Sequence, residues 1–268
     1  SLDSAIRVFI IGASIGYHFK EHHDPKKNRS MMVHPDISQN SHVKFLKFIN
    51  AVLDSSSEAL KDDVYKDEEL KKYKDAYEEL KKYSNNDMPN FAELKILRTL
   101  GLMEPPIELN SRMNSIEPVD WNNGYARIIV GGVGIERGFT IEGLTVSYLC
   151  RGLGTRQSDT IQQQARFFGY HSRYEDLIQI YMTKQHQDFF KDYVKMEENL
   201  LDDIEKFSKT GKNAKEMSRR FFLNERYRLT RQYIFRANVE TFNKDYAKQA
   251  HSHKIKDPDV LNINREIY

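Results

Sequence analysis

Arg127-Ile128-Ile129-Val130-Gly131-Gly132 is the stretch on which the fold turns. It is a short apolar run that ends in two glycines. A loop from Val133 to Phe139 follows, carrying Glu136-Arg137-Gly138, and then a second apolar run, Leu144 to Leu149. Asp159-Thr160 caps a predicted helix that contains Gln162-Gln163-Gln164-Ala165-Arg166-Phe167-Phe168-Gly169-Tyr170. Short apolar runs bounded by turn residues read as buried strands. Paired glycines let a backbone turn tightly at a strand end and approach a ligand closely. Two loops at the carboxyl ends of neighbouring strands, each leading to an arginine, suit a phosphate-handling α/β site.

The upstream sequence supports that reading. Met31-Met32-Val33-His34, closed by Pro35, predicts a buried strand. Ser38 is a candidate cap for a helix with Val43, Leu46, Phe48, Ile49, Val52 and Leu53 on helical spacing. A strand followed by a helix implies a parallel sheet. Ile107 to Ser111 predicts a short strand, and Leu177 to Met182 another. Residues 3–20 predict an amphipathic helix with a stripe at Ile6, Phe9, Ile10, Ala13 and Tyr17. Residues 55–104 interrupt the rhythm. Asp54-Ser55-Ser56-Ser57 reads as a turn, and a Lys/Glu/Asp-rich helix then carries Leu60, Val64, Leu70, Tyr73, Tyr77 and Leu80. A second helix from Phe91 to Leu100 stops at Gly101. Beyond Thr183 the pattern is helical to Gly211, and Met217 to Tyr246 predicts a last helix.

Composition bounds the function. The chain has 268 residues, 39% hydrophobic and 30% charged, with a net charge of +2, so any basic surface is local. Its single cysteine, Cys150, excludes an internal disulfide and suits a cytoplasmic protein. No apolar run is long enough to span a membrane, so no membrane partner is expected. The start lacks both an initiator Met and signal-peptide features, which points to a piece of a longer protein.

Several constellations compete for the chemistry. His18 and His22 share the i,i+4 spacing of zinc ligands on a helix, but without a third ligand they read as a solvated helix end. Asp87 with Glu93-Leu94-Lys95 matches the loose spacing of a metal-dependent endonuclease, yet Glu93 and Lys95 fall in a helical pattern. Arg166, a planar cation with five donors, suits a transferring phosphate, while the plainer reading leaves it a surface residue. Arg137 could equally pair with Glu136 or Glu142. Between 217 and 236, arginines including Arg226, Arg228 and Arg231 interleave with Phe221, Phe222, Tyr227 and Tyr233. That mixture suits phosphates and unstacked bases, or an amphipathic helix with solvated arginines.

One resemblance is specific. Val130-Gly131-Gly132, Arg137 to Tyr148, Asp159-Thr160, Gln163, Arg166 to Tyr170 and Tyr174 to Leu177 resemble, in order, the "Z-one" domain. Ser30 to His34, Asn110-Ser111 and Asp120-Trp121 extend the likeness. That domain accompanies superfamily-two helicase-type ATPases of bacterial restriction and defence systems and often carries an endonuclease label.

The resemblance implies a RecA-like, P-loop NTPase-type fold: the second RecA-like domain of a DNA motor. Residues 29–54 and 105–183 would form it. Residues 1–28 would be an N-terminal helix and linker, 55–104 a helical insertion and 184–268 a C-terminal helical extension. Arg137 and Gln163 would then act near ATP, and Arg166 would be the arginine finger. Gly132, Gly138, Thr140 and Glu142 would lie at the nucleotide. Arg151, Arg226, Arg228 and Arg231 are the candidate nucleic-acid contacts. Thr140 stands where many helicases have an acid, Ala165 where a glycine is usual, and Gly169 where a further arginine is common.

No G-x-x-x-x-G-K-[ST] phosphate loop occurs in the sequence. The resemblance therefore assigns ATP and Mg2+ to an N-terminal RecA-like domain outside this chain. The implied partners are that domain, DNA, and methyltransferase or nuclease subunits. A metal-dependent endonuclease and a non-catalytic interaction module remain the alternatives at this point.

Overall fold

The computed structural model describes residues 1–35, 39–84, 88–109, 119–121, 124–132, 141–150 and 175–211, with strands at 156–157, 220–223, 227–228, 238–240 and 248–251. The chain divides into two compact units. Ser1–Gly152 with Ala165–Thr183 forms the first, and Leu153–Gln164 with Lys184–Tyr268 the second.

The first unit is an α/β domain of RecA-like arrangement. Its strands are β1 (Arg29–His34), β2 (Ile107–Leu109), β3 (Ala126–Gly131), β4 (Leu144–Leu149) and β6 (Gln179–Met182). The short strand β5 (Arg156–Gln157) lies in the second unit. The five strands of the first unit form one parallel sheet in the order β2-β3-β1-β4-β6. All six residues of β1 are buried, as a central strand covered on both faces requires.

Alternation along the strands sorts the side chains between the two faces. Met31, Val33, Ala126, Ile128, Val130 and Val146 point to one, and Met32, Ile129 and Leu149 to the other. A register shift between Ser30 and Met31, opposite Leu144 and Val146, puts Leu144 on the Met32 face. That is the effect of one extra residue in a strand with period two.

Four helices cover the Met31 face: α1 (Leu2–His18), α2 (Gln39–Ala59), α3 (Lys66–Lys81) and α4 (Ile96–Leu100). The Ser1 side chain caps α1 by accepting from Ser4 N at 3.2 Å. The stripe expected on α1 is widened into burial on most sides: Ile6, Phe9, Ile10 and Ile11 are all 0% exposed. Each such side chain contributes about 1.5–3 kcal/mol by leaving water. Gly16 has a steric reason, because a Cβ there would collide with Tyr125 Oη. That hydroxyl instead donates to Ala13 O at 2.8 Å, tying the end of α1 to the start of β3.

The stretch 54–57, expected as a turn, lies inside α2. Ser56 is buried and hydrogen-bonded to Arg7 and Glu69, so its hydroxyl finds partners on α1 and α3 and does not break the helix. The charged segment that follows supplies core as well as solvated surface. Tyr73, Tyr77 and Leu80 of α3 are buried in the main cluster, whereas Val64 is exposed.

Gly143 holds φ +65°, and a Cβ would collide with the Asn28 carbonyl. Ser30 N donates to Gly143 O at 2.8 Å, so this turn seats the start of β4 against β1. Gly143→Ala is expected to destabilise the domain by at least about 2 kcal/mol, the cost of a left-handed non-glycine residue plus the collision. An unchanged denaturation midpoint would refute the assignment.

The second unit contains α5 (Lys184–Ser208) and short strand ladders. Gly211 follows α5 at φ +65°, where the helical pattern breaks. The helix expected over 217–246 is not what the described residues form. β7 (Arg220–Leu223) and β9 (Asn238–Glu240) flank β10 (Lys248–His251) in an antiparallel sheet. β8 (Tyr227–Arg228) pairs with β5 in parallel. Adjacent aromatic residues such as Phe221-Phe222 suit a strand. The partner strand lies more than twenty residues away, where local periodicity does not reach.

Candidate functional site at the carboxyl edge of the sheet

In a parallel sheet every strand ends on the same edge. Here that edge presents His34-Pro35 from β1, Gly131-Gly132 from β3 and Leu149-Cys150 from β4. The chain leaves β1 toward β2 on one side and leaves β4 toward β6 on the other. Such diverging connections open a crevice between the two strand ends, the usual ligand position in open α/β sheets.

The sequence places β3 and β4 one after the other, but they are not neighbours: β1 runs between them. The two strand ends expected to be neighbours therefore flank the end of β1, and β3 and β4 lie roughly 10 Å apart at two strand spacings.

Close contacts hold the ends of β1 and β4 together. Cys150 N donates to His34 O at 3.2 Å, and Cys150 Sγ lies 3.7 Å from the carbonyl oxygens of His34 and Pro35. His34 itself is buried. On the far side of β3, His42 Nδ1 of the first turn of α2 lies 2.8 Å from Glu108 Oε1 of β2. Glu108 sits opposite Val130 in the register, one residue before Gly131. The pair thus anchors the start of α2 beside the strand that delivers the paired glycines. Nothing in the local sequence announces it, because 66 positions separate the partners.

The predicted site residues fall into three groups. Gly132 is where it was expected, buried at the carboxyl end of β3. Glu142 is not: it is exposed, two residues before β4 begins, and its carbonyl accepts from Ser30 Oγ at 2.7 Å at the amino edge. A strand of six residues spans about 20 Å, so Gly132 and Glu142 occupy opposite edges of the sheet. The reason is topological, since the chain must return across the sheet before a parallel strand can start. Arg228 lies in β8, paired with Gln157. Arg137, Gly138, Thr140 and Arg151 lie outside the described residues, as do Gln163, Arg166, Arg226 and Arg231.

The competing metal readings find other roles for their residues. Glu93 accepts from Asn90 N at 2.8 Å and closes a capping box, the structural use of a carboxylate at that spacing. Asp87 lies outside the described residues. His22 stacks on Tyr17 with ring centroids 4.2 Å apart. Burial, and then the neighbouring His23, lower its pKa, favouring the neutral ring. Among the described residues no group of three His, Cys, Asp or Glu side chains stands ready for a metal ion. No helix among them is long and apolar enough to cross a membrane.

These features define the class: an α/β domain with a five-stranded parallel sheet, whose strand β3 beside the central β1 ends in paired glycines at the carboxyl edge. The family model described as Z1 domain matches residues 1–227, and the chain belongs to that family. No curated protein and no solved structure matches it.

Proposed function

We propose that this chain is the C-terminal motor domain of an ATP-dependent DNA helicase or translocase serving a bacterial restriction-modification or phage-defence system. The observation that carries the reading is the carboxyl edge. A buried strand ends there in Gly131-Gly132 beside the end of β1, and the sequence run with Arg137 follows directly. The chain completes a nucleotide site and does not hold one by itself. ATP and Mg2+ bind to a first RecA-like domain that carries the phosphate loop. When bound, ATP supplies the phosphoryl group whose transfer to water drives translocation.

Arg166 reaches that nucleotide as the finger, with Arg137 and Gln163 beside it. Gly132 and Gly138 allow the loops to approach, and Thr140 contacts the nucleotide. Arg151, Arg226, Arg228 and Arg231 contact DNA. Methyltransferase or nuclease subunits join the motor in the assembled system.

Residues 1–268 alone are expected to hydrolyse no ATP, whereas the complete motor hydrolyses it with stimulation by DNA. Steady-state phosphate release checks both. Turnover by 1–268 alone that disappears in Arg166→Ala would overturn the reading. Magnesium-dependent nicking of plasmid DNA by 1–268 would favour a nuclease instead.

A further inference from the structure

The outward face of α2 carries a surface that the site at the carboxyl edge does not use. The helix buries Ile49 at 0% and Val52 at 8% exposure against the sheet. Its opposite face leaves Val43 44% and Phe48 46% exposed, with Lys44 and Lys47 exposed among them. Helical spacing makes these four residues one patch. Lys44 and Phe48 are a turn apart, as are Val43 and Lys47.

The charge pattern is one-sided. Residues 39–53 contain no Asp or Glu, and the first carboxylate on α2 is Asp54. On α3 the lysines alternate with acids, as in the exposed Lys72–Glu68 pair, so that surface neutralises itself. The amino-terminal half of α2 does not. It also begins directly past the end of β1, on the edge proposed to face nucleotide.

Lysines with an exposed aromatic ring on a helix segment that contains no Asp or Glu match the chemistry of a single nucleic-acid strand. Phosphates meet the ammonium groups, and an unstacked base lies on the ring. We infer that Val43, Lys44, Lys47 and Phe48 form a contact surface for single-stranded DNA, with the lysines on phosphates and Phe48 under a base. The inference extends the proposed motor function and rests on that reading for the identity of its partner.

Fluorescence anisotropy of a labelled oligo(dT) probe titrated with residues 1–268, across a salt series, tests it. Lys44→Gln with Lys47→Gln should reduce the slope of log K against log salt by about 1.4, at about 0.7 per lost phosphate contact on a single strand. Phe48→Ala should weaken binding about tenfold at every salt concentration and leave the slope unchanged. All the altered side chains are exposed, so thermal melts of the variants should match that of the parent chain.

Unchanged affinity and slope in both variants overturn the inference. So does an absence of oligo(dT) binding at low salt. If Phe48→Ala lowers the sedimenting mass while DNA binding persists, the patch belongs to a second copy of the chain and the inference fails. ATP turnover by the complete motor is a separate readout, so failure of the motor reading and failure of this surface can be told apart.

Discussion

ATP turnover by the complete motor is expected to fall by roughly 10³-fold or more when Arg166 is replaced by alanine. In phosphoryl transfer the protein contributes position and charge, and the charge spread over the moving phosphoryl oxygens peaks in the transition state. A guanidinium held against those oxygens therefore stabilises the transition state more than bound ATP. The loss should appear in kcat, with little change in KM, because the proposed first domain would hold the ground state. Arg166→Lys should recover little, since an ammonium lacks the planar fork that meets two oxygens at once. Phosphate release at saturating ATP and DNA measures this. Turnover within a few fold of the parent would remove Arg166 from the role of finger.

The second large effect is on stability. Glu69→Ala should cost about 3–5 kcal/mol, because it strands a buried cation. Arg7 and Glu69 are 8% and 5% exposed at their side chains, and Arg7 Nη2 lies 3.1 Å from Glu69 Oε1. Arg7 Nη1 donates to Ser56 Oγ at 3.2 Å, and Ser56 Oγ donates to Glu69. The guanidinium also lies 5.3 Å from the centre of the Tyr73 ring, whose hydroxyl is pushed up to about 12, chiefly by burial. Three helices thus meet at one polar knot inside an apolar layer.

Without Glu69, Arg7 keeps only Asp3 as an anionic partner among the described residues, at 3.4 Å and 42% exposed. Solvent screens that contact, so it does not replace the lost one. Asp3→Ala should accordingly cost less than about 1 kcal/mol. Urea or thermal denaturation separates the two variants, with Glu69→Ala expected about 10 °C lower in Tm. Glu69→Ala melting beside Asp3→Ala would show that the knot carries no such weight.

Legibility differed from element to element. Strands β1, β3 and β4 were readable as short, largely apolar runs, a composition that burial on both faces demands, and the edge strand β6 was readable from its apolar run alone. α2 was readable from its apolar spacing. Its extension through Ser55-Ser56-Ser57 was not, because serine signals a turn only while its hydroxyl lacks a distant partner. The strands between 220 and 251 were missed for a related reason: their stability lies in pairing between distant segments. At the candidate site, Gly131-Gly132 was legible as a strand-end device. Glu142 was misplaced because residues 137–148 read as one continuous motif at one edge, whereas β4 starts at Leu144 on the edge opposite to the one where β3 ends. His42 and Glu108 carried no local signal at all.

The sequence by itself determined the class of the protein. Apolar runs of strand length alternating with amphipathic helices can bury their surfaces only as a helix-covered parallel sheet. It also determined the family, through an ordered series of residues around Gly132, Arg137 and Arg166. Tertiary structure alone decided the strand order, with β1 between β3 and β4, and hence the contact of Cys150 with His34. It alone decided that α1 is core and that Arg7 is buried against Glu69. The physical reason is range. Propensity and periodicity act over a few residues, whereas strand order, edge and buried charge depend on which distant segments exclude water together.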